Sequence, residues 1–131
     1  MIVKVHILQI PQGSTLHLEG EENPAPLGLE EAGATPLSQL QYNIEVGLSN
    51  GGIFATGWLK IKVSLTCVVT LEPFEKEILI NPFCLQKELD GRELVDLTPE
   101  IRDDIHLQIP AHPRSPSADE FLRLNPTQFQ V

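Results

Sequence analysis

The sequence predicts an α+β fold, mostly antiparallel β-sheet that can curl into an open barrel, with a short C-terminal helical region. Three observations carry that prediction. Apolar and polar residues alternate with a period of two from Leu59 to Val69, which no helical template fits. Asn50-Gly51-Gly52 separates that run from another alternating run at Tyr42–Leu48, as a hairpin turn would. Further on, Leu94, Leu97, Ile101 and Ile105 recur at helical spacing.

From the N-terminus, Val3, Val5 and Ile7 alternate with Lys4 and His6 and predict a strand, which Pro11 and Gly13 end. Residues 19–36 change character. Glu19, Glu21, Glu22, Glu30 and Glu31 stand among prolines and glycines, with little apolar material. A mobile acidic loop is expected, because burial there would not offset the entropy of ordering it. The alternative for this stretch is a contact arm for a basic partner.

Order resumes at Tyr42, with Ile44, Val46 and Leu48 on the same face, and the return strand starts at Ile53-Phe54. Gly57 marks a bulge or bend. Beyond it, Leu59, Ile61, Val63, Leu65, Cys67 and Val69 share one face, and Lys60, Lys62, Ser64 and Thr66 the other. Pro73 interrupts the pattern, Phe74–Ile80 resumes it, and Asn81-Pro82 is expected to end it. The region reads as an antiparallel meander with one covered face.

Near the C-terminus, Thr98-Pro99-Glu100 has the form of a helix start: a capping hydroxyl, a proline at the first helical position and a carboxylate at the positive end of the dipole. Pro110 and Pro113 stop the helix. One more helical turn is expected at Asp119–Leu124.

The chain has 131 residues, enough for a single domain (1–131) with a core of its own. No apolar run approaches membrane-spanning length and no secretory leader is visible, so a cytoplasmic location is expected, with Cys67 and Cys84 as free thiols. Its net charge of −9 argues against broad nucleic-acid binding, which depends on Lys and Arg neutralising phosphate. Such a charge suits a basic partner, and it also serves solubility.

Site by site, little points to catalysis. Cys67, Cys84, His106 and His112 are the candidate zinc ligands, yet they form neither a Cys-x-x-Cys nor a standard His pair, so no metal and no cofactor is expected. No nucleophile signature surrounds either cysteine, and no catalytic residue is assigned. Asp103 and Asp104 are expected at a helix start, facing water, and Arg102 as an internal ion pair that fixes the helix. Lys60 and Lys62 share a strand face near Trp58, which offers RNA both charge and stacking; the plainer reading is that they solvate the outer face.

Two blocks carry a family resemblance. Cys67-Val68-Val69-Thr70-Leu71-Glu72-Pro73-Phe74 resembles a strand ending in Cys-x-x-Cys-Leu-Glu-Pro-Phe. Asp96-Leu97-Thr98-Pro99-Glu100-Ile101-Arg102-Asp103-Asp104-Ile105, followed by His106–Pro110 and Ala111-His112-Pro113, resembles Asp-Leu-Thr-x-x-Ile-Arg-x-x-Ile and its apolar–proline sequel. Both are features of the YceD family, bacterial proteins linked to accumulation of large-subunit ribosomal RNA. Leu40-Gln41-Tyr42, Gly51-Gly52 and Gly57 extend the likeness more loosely. The chain departs from the family at Thr70, where a second cysteine is usual, and at Arg114-Ser115-Pro116-Ser117, where further cysteines often stand. The resemblance implies a non-enzymatic factor supporting large-subunit ribosomal RNA processing and ribosome biogenesis through protein or ribonucleoprotein contacts. The partner would be a ribosomal protein or a ribosomal RNA–protein precursor, with no membrane and no small-molecule substrate. The expected contact segment is Glu88–His112, through Glu100, Arg102, Asp103, Asp104 and His112. The alternatives are direct RNA binding through Trp58, Lys60 and Lys62, or an RNA-processing or thiol enzyme.

Overall fold

The computed structural model describes residues 3–116, together with Ala118, Glu120 and Arg123. The fold is α+β, a chiefly antiparallel sheet with one helix near its C-terminus, and the sheets do not close into a barrel. Strands β2 (Leu16–Glu22), β4 (Leu40–Ser49), β5 (Gly52–Thr66) and β6 (Pro73–Glu88) pair in that spatial order, and the short β3 (Thr35–Pro36) pairs with β5 at Ser64 and Val63. A separate two-stranded sheet joins β1 (Lys4–His6) to β7 (Leu94–Asp96). Helix α1 (Thr98–Gln108) follows directly.

The β4–β5 hairpin forms as the sequence dictates. Ser49 pairs with Gly52 across Asn50 and Gly51, whose φ values of 50° and 76° are both left-handed, as a two-residue turn requires. Leu40, Ile44 and Val46 on β4 face the core with Ile53, Ala55, Leu59, Ile61, Val63 and Leu65 on β5. Gly57 sits where β4 crowds β5: a Cβ there would lie 2.0 Å from the Asn43 carbonyl oxygen, and φ is 156°.

Asn81-Pro82 does not end the third strand. The β5–β6 register steps from Gly57↔Phe83 to Leu59↔Ile80, so Asn81 and Pro82 both stand opposite Trp58 as a bulge. Proline has no N–H to lose there, and pairing continues to Glu88. The bulge also shifts the phase of the alternation. Even-numbered Ile78 and Ile80 face inward before it, and odd-numbered Phe83 and Leu85 after it. Pro73 begins this strand rather than separating two.

Residues 19–36 also differ from the expected loop. β2 runs to Glu22, 3-10 turns follow at Ala25–Leu27 and Leu29–Ala32, and Leu27, Leu29 and Ala34 are wholly buried. The few apolar residues of this stretch enter the core beneath α1, and His106 Nε2 lies 2.7 Å from the Leu27 carbonyl oxygen. Two of its five glutamates are held across the strands: Asn43 donates to Glu19 and Gln41 to Glu21, each at 3.2 Å.

In α1, Ile101 and Ile105 are fully buried, one helical turn apart. Thr98 is not the cap. Its N–H donates to Asp96 Oδ1 at 3.0 Å, and its own Oγ1 accepts from the Val3 N–H at 3.3 Å inside the fold. Burial pushes the Asp96 carboxyl up, but the hydrogen bonds from Thr98 outweigh it and hold the group below its usual range. Thus Leu97 is the N-cap, Asp96 before it accepts the N–H of the first helical residue, and the threonine stitches that start to Val3, next to β1. The helical turn expected at 119–124 lies largely outside the described residues; Glu120 and Arg123, which are described, are helical.

Candidate interaction surface

The residues expected to meet a partner split into two groups. On α1, Arg102 and Asp103 are exposed and only 3.7 Å apart, so their contact is a surface one and not the internal pair expected of Arg102. Asp103 and Asp104 lie in the second turn, not at the helix start. Asp104 is half-buried; desolvation, and then the Asp103 charge, raise its carboxyl. His112 is exposed beyond the helix. Glu100 is different. Its Oε1 is 2.9 Å from Lys87 Nζ, which also donates to the Asp96 carbonyl at 3.2 Å, and its Oε2 is buried with no hydrogen-bond partner among the described residues. This carboxylate fastens α1 to β6. Nothing in the sequence marked Lys87, because the pair joins elements far apart in pattern.

The second group lies on the outer face of the sheet. Strand alternation places Trp58, Lys60 and Lys62 there, Trp58 and Lys60 in register with Asn43 and Gln41 on β4, and Lys62 with Glu77 on β6. Neither lysine presents a bare charge: Lys60 Nζ is 3.8 Å from Glu77 and Lys62 Nζ 4.0 Å from Glu75 on β6. Towards β2 the same face carries Glu19, Glu21 and Glu45. His17 sits among them, 2.6 Å from Glu45 through Nδ1 and 3.5 Å from Glu19 through Nε2, while Thr15 donates to Glu45 at 2.6 Å. Hydrogen bonding to Glu45, then to Glu19, raises the imidazole above its usual 6.5. Near the hairpin end, the Phe54 ring covers Gly47, where a Cβ would meet it at 2.5 Å. Leu79, 54% exposed, stands in register with Lys60. Trp58, Lys60 and Lys62 are therefore brought together as the strand pattern implied. Of the carboxylates that outnumber the lysines, Glu45 comes from β4 and the others from β2 and β6, strands whose extent was hidden in the sequence.

Cys67 directly follows β5, in a small cluster with Val69, Ala118 and Phe74. Its Sγ accepts the N–H groups of Ser115 at 3.4 Å and Thr70 at 3.5 Å. Burial pushes this thiol up, and those hydrogen bonds overcome it to hold it at about 6. Cys84 is exposed on the outer face, in register with Thr56. Among the described residues no group of three or more His, Cys, Asp or Glu is placed to hold a metal ion, and no helix is long and apolar enough to cross a membrane. Compared with known proteins, the chain matches no family model, no curated protein and no solved structure.

Proposed function

We propose that this protein is a non-enzymatic factor supporting the processing and accumulation of large-subunit ribosomal RNA, acting in the cytoplasm through contact with a basic ribosomal protein. The ribosomal part of this reading rests on the resemblance of Asp96–Ile105 and Leu71–Phe74 to the YceD family. The choice of protein over RNA rests on one observation: both outer-face lysines lie opposite glutamates, on a face with further carboxylates towards β2. Phosphate approaching Trp58 would meet net negative charge, whereas a basic protein would be drawn in. Sedimentation of a cell extract through a sucrose gradient, repeated over a salt series, tests the role. Co-migration with large-subunit precursors that is lost at moderate salt is the expected result. Migration as a small free protein in every fraction counts against it.

A further inference from the structure

We propose that the outer face of the sheet is a docking surface for an extended, arginine-bearing segment of a protein partner, with Trp58 as its anchor. The proposal rests on the reading that the partner is a basic protein, and it moves the contact from the helix to the sheet. The face is open: Thr56, Lys62, Leu79 and Cys84 on it are all exposed. Trp58, the sole tryptophan, is half-buried at the bulge, between Asn43 on β4 and Asn81-Pro82 on β6. Towards β2 a carboxylate stands level with it, Glu19 across Asn43, and on the β6 side the outward carboxylates lie further along the strand, Glu77 opposite Lys62 and Glu75 opposite Ser64. Glu19 is two strands from Trp58, about 10 Å, a span that roughly three residues of extended chain cover. An arginine can therefore stack on the indole while a second reaches the Glu19–Glu21 edge. Guanidinium suits both contacts, being planar for stacking and forked for carboxylates, whereas an ammonium offers neither geometry. Leu79 and Phe54 add apolar contact along the same face. The exposed side of α1 is less suited, since Arg102 there stands beside Asp103.

The test titrates the full chain with a synthetic peptide of alternating arginine and glycine and follows the fluorescence of Trp58. A saturable change that weakens with salt is expected. Replacing arginine by lysine should weaken binding roughly three- to fivefold, the loss expected when stacking is removed. Trp58→Leu, followed by calorimetry, should abolish that preference, and Glu19→Gln with Glu21→Gln should weaken binding severalfold in a protein whose melting is unchanged. The proposal is overturned by an absence of fluorescence change, by an arginine preference intact in Trp58→Leu, or by loss of binding on Asp103→Lys instead. Tighter quenching by a single-stranded RNA oligonucleotide than by the peptide overturns it too. Peptide binding as described, with no co-migration in the gradient, leaves the docking face standing and removes the ribosomal assignment.

Discussion

Removing Lys87 from the pair that fastens α1 to β6 should reveal a carboxylate stranded inside the fold. The side chains of Lys87 and Glu100 are 26% and 31% exposed, so the pair lies between two regimes. Exposed pairs contribute about 0–1 kcal/mol, while breaking a fully buried pair costs about 3–5 kcal/mol. Lys87→Met keeps the aliphatic stem but leaves the Glu100 carboxylate without its cation, one oxygen already buried with no hydrogen bond among the described residues, and it takes the donor from the Asp96 carbonyl. An intermediate cost of about 2 kcal/mol follows. For a domain of this size that is a fall in Tm of about 8 °C. Lys87→Met combined with Glu100→Leu removes the stranded charge, so the double variant should be more stable than Lys87→Met alone, with a coupling of roughly 1–2 kcal/mol. Urea unfolding of the wild type, both single variants and the double variant measures this. A loss below about 0.5 kcal/mol in Lys87→Met, or additive single effects, would refute the pinning role and return Glu100 to the surface contacts.

Gly57→Ala should cost more than about 3 kcal/mol or prevent folding, because the added carbon meets the Asn43 and Ile44 backbone rather than a movable side chain; a melting temperature within a few degrees of wild type would contradict this. The His17 clamp predicts a pH dependence. Its pKa is raised, so its contribution is complete below the ordinary 6.5 and is lost as pH climbs through the raised value, while Glu45, held below 4.5, keeps its charge throughout. Urea midpoints of wild type and His17→Gln should therefore differ more at about pH 5.5 than at about pH 8.5, and an equal difference at both would exclude the clamp. Leu27→Ala should cost about 2–5 kcal/mol by opening a cavity under α1; a change near zero would mean that 19–36 does not contribute to the core. A thiol-reactive dye should label exposed Cys84 quickly and buried Cys67 only on unfolding, despite the lowered pKa of Cys67; two fast thiols would contradict its burial.

Where local pattern and global fold agree, the sequence was readable. The β4–β5 hairpin needs only Asn50-Gly51, two alternating runs and a glycine at the point of closest approach, and all three lie within thirty residues of one another. β2 was not readable because its outward side chains are glutamates. Their partners, His17 apart, sit on β4, and the apolar residues that follow are few though completely buried. The second half of β6 was not readable, the strand being expected to end at Asn81-Pro82, because a bulge reverses the alternation at the very place where a proline signals a stop. Thr98 has the look of a cap because its hydroxyl precedes Pro99-Glu100, yet tertiary contact with Val3 claims that hydroxyl, Thr98 is itself the first helical residue after the N-cap Leu97, and its N–H goes to Asp96. Likewise, the shared face of Trp58, Lys60 and Lys62 followed from a period of two. Its acidic character depended on cross-strand register, which no single strand encodes.

The proposed role, support of large-subunit ribosomal RNA through the acidic sheet face, has a direct consequence in the cell. Depleting the protein from its host and measuring the ratio of large- to small-subunit ribosomal RNA tests this most directly, with the wild-type chain and Trp58→Leu each supplied back. A fall in the ratio that wild type restores and Trp58→Leu does not is the predicted result. A ratio unmoved by depletion would contradict the account.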